Sequence, residues 1–234
     1  MEDLVRLEKV VRTYGHDSIQ VKALKEVDLS IERGEFTVVM GPSGSGKTTM
    51  LNLIGGLDKP TEGRVLIDGR DTTRLSRSKL SKMRLEKIGF VFQAYNLIPV
   101  LTAYENAEYV LMLQGMPAAQ RREKIMGLLE TVGLGGMENR FPRELSGGQQ
   151  QRVAIARAIA PEPELVLADE PTANLDSETA GDLLDLMARL NEEKGVTFLF
   201  STHDPAVMER ARRIIVLKDG RVAEDVTGPL KKAS

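Results

Sequence analysis

The stretch Gly41-Pro42-Ser43-Gly44-Ser45-Gly46-Lys47-Thr48 constrains the chain most, because of what lies on either side of it. Before it runs Phe36-Thr37-Val38-Val39-Met40, an apolar, β-branched run suited to a buried parallel strand. After the glycines and Pro42 break that run, Lys47 to Ile54 reads as a helix. Gly41, Gly44 and Gly46 let the backbone curl so that successive N–H groups point inward, and the helix dipole behind them makes the concavity an anion site. In such a strand-loop-helix unit Lys47 reaches the β- and γ-phosphates of a nucleotide and the Thr48 hydroxyl ligates Mg²⁺. Pro42, Ser43, Ser45 and Thr49 complete the cradle.

Two later strings bear on how a nucleotide would be used. Leu145-Ser146-Gly147-Gly148-Gln149 precedes a helical run from Gln150 to Ala160, and Ser146, three residues ahead of Gln149, is placed as an N-cap with a capping box. Gly147 and Gly148 carry no side chain to obstruct approach. The Ser146 hydroxyl, the glycine amides and Gln149 are thus a second candidate clamp for phosphate oxygens, although the string alone reads as an ordinary helix cap. Leu165-Val166-Leu167-Ala168 is a buried-strand run ending in Asp169 and Glu170, with Pro171 stopping it. Carboxylates at the carboxyl end of a parallel strand lie where open α/β sheets bind ligands. Asp169 fits a holder of Mg²⁺ and Glu170 a base that polarises the attacking water; by themselves, two acids ending a strand are also simply a solvated turn.

With these three strings in this order, the chain resembles the ATPase subunit of ABC (ATP-binding cassette) transporters, and the likeness runs from Tyr14 to Gly220. The resemblance implies ATP and Mg²⁺ as ligands and hydrolysis coupled to transport. It also implies a homodimer in which each ATP is sandwiched head to tail between the glycine loop of one copy and Ser146 of the other. It assigns Gln93, after the strand-like Ile88 to Phe92, to Mg²⁺ and the γ-phosphate region, at the start of the segment that touches the membrane partner. His203, after the β-rich Val196 to Thr202, becomes the switch that orients the water and Glu170. Tyr14 lies where the family keeps an aromatic that stacks on adenine, though a lone tyrosine there is often just a half-buried ring. His16 receives no role. Ala173-Asn174-Leu175-Asp176 matches the loop that crosses the dimer interface. Alanine stands at 173 where many relatives have glycine or serine, so a positive φ at that point would be costlier.

Within the superfamily, Phe92 to Pro99, Leu101 to Asn106 and Ala168 to Asp176 are most similar to bacterial ATPases of the lipoprotein-releasing and macrolide-export type. Those work with permeases that resemble the cell-division protein FtsX. The expected location is therefore the cytoplasmic face of the bacterial inner membrane, held peripherally through the permease, with the cargo chosen by the permease.

Composition limits the alternatives. Over 234 residues the formal charge of −2 gives no basic bias, so nucleic acid is not an expected partner, although Arg121, Arg122 and Lys124 form a local patch. The absence of cysteine excludes disulfides, thiolate metal sites and a cysteine nucleophile. No run approaches the about 18 apolar residues of a membrane helix, and the Met1 end lacks a signal-like apolar stretch. A cytosolic ABC-type ATPase acting without a permease is the alternative. Against DNA-repair relatives, the interval between the glycine loop and Leu145 lacks sustained heptads.

The fold expected is α/β, a P-loop NTPase core with a mostly parallel sheet, an antiparallel β subdomain and a helical insertion, all in one domain over 1–234. Residues 1–93 and 161–225 form the core, about 94–160 the helical segment, and 226–234 a tail. Alternation up to Ile31, together with Val65 to Gly69, predicts the antiparallel sheet. Ile125, Leu128, Leu129 and Val132 form a helical core stripe ended by Gly133. Arg77 to Lys87 reads as a solvated helix, and Ile214 to Val222 as a closing hairpin around Lys218-Asp219-Gly220.

Overall fold

The computed structural model describes residues 3–15, 20–202 and 211–228. Two sheets form. The smaller is antiparallel, in the order β2 (Val21–Glu32), β1 (Asp3–Tyr14), β4 (Glu62–Ile67), β5 (Arg70–Asp71). The larger has the order β10 (Arg221–Thr227), β9 (Arg213–Lys218), β3 (Phe36–Met40), β8 (Thr197–Thr202), β7 (Leu165–Asp169), β6 (Ile88–Phe92). Every neighbouring pair from β9 to β6 is parallel, and only the β10 edge is antiparallel.

The parallel strands are continuous apolar runs because both faces of their sheet are covered. Leu165, Leu167, Leu199, Val39, Ile215 and Leu217 face one side, packing with Met50, Leu51, Leu53 and Ile54 of α1 (Lys47–Ile54) and with the inner face of the antiparallel sheet. Val166, Ala168, Phe198, Phe200, Phe36 and Val38 face the other. There they meet α6 (Ser177–Lys194) and the helical segment, α3 (Ala103–Leu113), α4 (Ala118–Thr131) and α5 (Gly147–Ile159). The stripe Ile125, Leu128, Leu129 and Val132 is buried in that same cluster, and Gly133 stops the helix in a left-handed conformation, φ 76°.

α2 (Arg77–Lys87) buries only Leu80, as its charge-rich sequence predicts. β3, β6, β7, β8, β9 and α1 fall where the sequence puts them, but β4 covers Glu62–Ile67 rather than Val65 to Gly69, β5 is unexpected, and α5 begins at Gly147 rather than Gln150, directly after its Ser146 cap. β10 runs to Thr227, two residues into the stretch expected as tail. The β9–β10 hairpin closes through Asp219 and Gly220, both with positive φ (51° and 78°), which matches the right-handed twist of the strands.

Candidate active site

α1 leaves the carboxyl end of β3 with Gly46 as its cap residue, φ 106°, and no side chain caps it. α4 also lacks a side-chain cap, whereas α2, α3, α5 and α6 are each capped by a side chain of their own, from Ser76, Thr102, Ser146 and Asp176. The first-turn N–H groups of α1 are therefore not taken by a capping side chain, which suits an anion. The loop ahead of the helix is held by close packing. A Cβ at Gly41 would lie 2.1 Å from the Leu217 carbonyl oxygen, so a side chain there would push the loop off β9. The hairpin tip also holds the loop: Gly220 N–H donates to the Ser45 carbonyl at 3.1 Å, and the Gly220 carbonyl accepts from Lys25 N–H at 2.8 Å. Ser45 Oγ is buried with no hydrogen-bond partner among the described residues, and Ser45, Gly41 and Pro42 are not among the residues that line the cleft beside Lys47.

Lys47 is buried, and its Nζ donates to the carbonyls of Gly41 (2.8 Å) and Pro42 (3.2 Å) and sits 4.0 Å from Glu170 Oε1. Asp169 and Glu170 stand at the carboxyl end of β7, between β6 and β8, where Asp169 is in register with Phe92 and Ser201. Asp169 Oδ1 accepts from Ser201 Oγ at 2.5 Å and from Thr48 Oγ1 at 3.2 Å. Glu170 has φ 48°, a left-handed conformation that costs an L-residue about 1–2 kcal/mol. Its N–H is shared between the Ser201 carbonyl (3.1 Å) and Ser201 Oγ (3.2 Å), which holds the kink in place. A cleft of about 500 Å³ gathers Ser43, Gly44, Gly46, Lys47, Thr48, Thr49, Gln93 and Glu170, with Ala23 at its side. Thr48 and Asp169 present hard oxygen donors in contact. That sparse set suits Mg²⁺, which takes one or two protein ligands and fills its octahedron with phosphate and water oxygens.

Gln93 is tied to the Ala173–Asp176 segment, since its carbonyl accepts from Asn174 Nδ2 at 2.9 Å. Just beyond it, Tyr95 and Asn96 are both left-handed, φ 58° and 49°, and their carbonyls accept from the Arg157 guanidinium of α5 at 2.9 and 2.6 Å. Burial lowers the Arg157 pKa from its ordinary value. Ala173 is not among the residues with positive φ, so alanine costs nothing there; the left-handed residue nearby is Glu170 itself.

Ser146, Gly147, Gly148 and Gln149 do not line the cleft. The capping box forms: Ser146 Oγ accepts from Gln149 N–H at 3.3 Å and Gln149 Oε1 from Ser146 N–H at 3.0 Å, leaving the Ser146 hydroxyl proton for an outside acceptor. The absent side chains also have a purpose inside the chain. A Cβ at Gly148 would lie 2.5 Å from Thr179 Cγ2 of α6, and one at Gly147 would lie 2.8 Å from the Tyr95 hydroxyl. Thr179 cannot swing away freely, because its Oγ1 donates to Asp176 Oδ2 at 2.7 Å. Gly148→Ala is therefore expected to destabilise the fold by about 1–3 kcal/mol, as overpacking does. Adding Thr179→Ser, which removes only Cγ2, should recover most of that in urea unfolding. An unchanged midpoint for Gly148→Ala alone would show that α6 yields.

Tyr14 ends β1 outside the cleft lining. Its hydroxyl donates to Asp58 Oδ2 at 2.9 Å, and the Arg12 guanidinium, itself paired with Asp58 at 2.8 Å, lies 4.4 Å from its ring centroid. His203 and His16 lie outside the described residues. Sequence reasoning missed Ser201, Gly220, Asp58 and Arg157, and only Gly220, as the glycine of a two-residue hairpin turn, carried a local signal.

The ABC transporter family profile matches residues 24–173. The lipoprotein-releasing system ATP-binding protein LolD 1 of Rhodopseudomonas palustris is 46% identical over 225 residues, covering 95% of this chain and 100% of the relative. The macrolide export ATP-binding/permease protein MacB of Hyphomonas neptunium is 46% identical over 222 residues, covering 95% of this chain but 34% of that longer protein. Among solved structures, a dimeric post-hydrolysis state of the ATP-binding cassette MJ0796 bound to ADP and Pi superposes with TM-score 0.88 at 49% identity, covering 95% of this chain and 98% of that one. MJ0796 comes from Methanocaldococcus jannaschii.

Proposed function

The chain belongs to the ABC transporter family, and on that premise we propose that it is the ATP-hydrolysing subunit of a membrane export or lipoprotein-extrusion system, working as a head-to-tail homodimer. The observation that carries this reading is the split between two phosphate clamps. Lys47, Thr48 and Glu170 line one cleft, with Asp169 hydrogen-bonded to Thr48, while Ser146 and its glycines stand on a different helix end that takes no part in that cleft. A second copy turned head to tail would bring its α5 N-terminus over the first copy's phosphates. The dimeric, ADP- and Pi-bound form of the MJ0796 cassette supports the part of this reading that pairs two copies.

In this reading the loop N–H groups, Ser45 and Lys47 hold the phosphates, and Tyr14 offers its ring to adenine. Thr48, Asp169 and Gln93 would hold Mg²⁺, which when bound offsets the charge on the β- and γ-phosphates. Glu170 takes a proton from the attacking water, His203 orients that water, and ATP and water become ADP and inorganic phosphate. Loss of the γ-phosphate breaks the bridge between the two helix ends. The core of residues 1–93 and 161–225 then parts from its partner copy, and the helical segment of about 94–160 carries the motion to the permease through the Gln93 turn. Beside that turn runs a groove lined by Leu57, Leu85, Phe90, Phe92 and Val110, a fitting seat for a permease segment.

The relatives' names favour a permease partner over the permease-free alternative, and MacB has its ATP-binding part in one chain with a permease. An FtsX-like permease and attachment to the cytoplasmic face of the cell membrane belong to this proposal. Among the described residues no helix is long and apolar enough to cross a membrane. A tagged chain isolated from mildly solubilised membranes should bring a multi-span protein with it, and the pair should hydrolyse ATP. Recovery only as a soluble complex with nucleic acid would overturn the reading.

A further inference from the structure

We propose that Ser201 is a positioning residue that sets both acids of the site at once, fixing the Asp169 carboxylate for Mg²⁺ and the Glu170 backbone for the attacking water. This rests on the ATPase reading above and deepens it. Ser201 is fully buried near the end of β8, directly across from Asp169 in the parallel register. Its hydroxyl has one proton and faces two groups, Asp169 Oδ1 at 2.5 Å and Glu170 N–H at 3.2 Å. The amide can only donate, so the direction of the chain is fixed: Glu170 N–H donates to Ser201 Oγ, and Ser201 O–H donates to Asp169 Oδ1.

Thr48 Oγ1 meets the same carboxylate oxygen at 3.2 Å. Two hydroxyls on Oδ1 hold the carboxylate in one orientation and use about two of its four acceptor sites, so the rest stay open to water on a metal. On the other side, the Ser201 carbonyl and hydroxyl share the amide of a residue in the left-handed region, φ 48°. A buried serine needs hydrogen bonds for its own sake. This one, however, spends both on the adjacent acids Asp169 and Glu170, in a strand whose preceding residues Phe198, Leu199 and Phe200 are apolar and buried.

The test compares Ser201→Ala with Ser201→Thr, which keeps the hydroxyl on a residue suited to a strand. Mn²⁺ stands in for Mg²⁺, and its binding to the protein loaded with the non-hydrolysable analogue AMP-PNP is read by electron paramagnetic resonance. Ser201→Ala should weaken Mn²⁺ by about tenfold, the usual effect of removing a group that orients a metal ligand. AMP-PNP affinity in EDTA should stay within twofold, and kcat should fall with KM nearly unchanged. Ser201→Thr should restore most of both losses. A folded Ser201→Ala protein with Mn²⁺ affinity and kcat within twofold of the parent would overturn the proposal, as would a folded Ser201→Thr protein as weak as the alanine variant. Asp169→Asn separates the two levels. If it leaves Mn²⁺ binding intact, the metal site itself is misread; if it weakens Mn²⁺ while Ser201→Ala does not, only the role of Ser201 falls.

Discussion

Replacing Glu170 with Gln should lower ATP hydrolysis by about 10²–10⁴-fold while ATP still binds. The substitution keeps the size of the side chain and removes both the proposed base and a negative charge 4.0 Å from Lys47 Nζ. The backbone at Glu170 is left-handed and its amide is held by Ser201, so Gln inherits the same placement and the effect reports chemistry rather than displacement. Lys47 Nζ, 4.0 Å from Glu170 Oε1, loses an anionic neighbour and becomes more available to the γ-phosphate. Gel filtration with ATP should accordingly show a dimer that outlasts the parent's. Turnover close to that of the parent would remove Glu170 from the role of base.

The second large effect is complementation between two dead variants. Lys47→Ala removes the cation from one clamp, and Ser146→Asp puts a carboxylate into the other. Asp is as good an N-cap as Ser, so α5 keeps its start while the phosphates meet a like charge. Position 146 is a sounder choice than Gly148, where any side chain collides with Thr179 and would test the fold instead of the clamp. Each homodimer has a lesion in both shared sites. A heterodimer of the two places both lesions in one site and leaves the other with native Lys47 and native Ser146. Differently tagged, purified heterodimers should therefore bind one nucleotide where the Lys47→Ala parent binds almost none. If each site were built within one chain, mixing would restore nothing, and absence of any gain would count against the shared site.

What could be read from the sequence follows the range of the forces involved. The order β3, glycine loop, α1 is local, as is the Ser146–Gln149 box, and both appear where the residues put them. The alternation that sends Leu165 and Leu167 to one side of the sheet and Val166 and Ala168 to the other is hidden in the sequence, because burial on both faces makes the whole run apolar. Ser201 lies 32 residues from Asp169 and becomes its neighbour only through the parallel register of β7 and β8, which no local pattern specifies. Arg157 gives no local sign of its role, since it reaches 62 residues back to the Tyr95 carbonyl. Gly147 and Gly148 were legible as open space for a phosphate, but their packing against Tyr95 and Thr179 depends on how α5 lies against its neighbours. The expected strain at Ala173 falls instead on Glu170, because the chain turns at the last residue of the acid pair rather than in the loop after it.

The apolar cluster that joins α3, α4 and α5 to Phe36, Val38, Phe198 and Leu183 has no seam between the helical segment and the sheet. In folding terms the helices are a limb and not a second body, since they have no private interior to fall back on when detached. Melting them would uncover the part of that sheet face that α6 does not cover, so they belong to the same cooperative unit. Whatever stroke they deliver must then be a rocking that keeps this contact sealed. The link from β6 to α3, residues 93–102, contains no fully buried residue, but Arg157 of α5 holds the Tyr95 and Asn96 carbonyls, so it travels with the helices. In the proposed stroke, α3, α4, α5 and that link move together as one rigid arm.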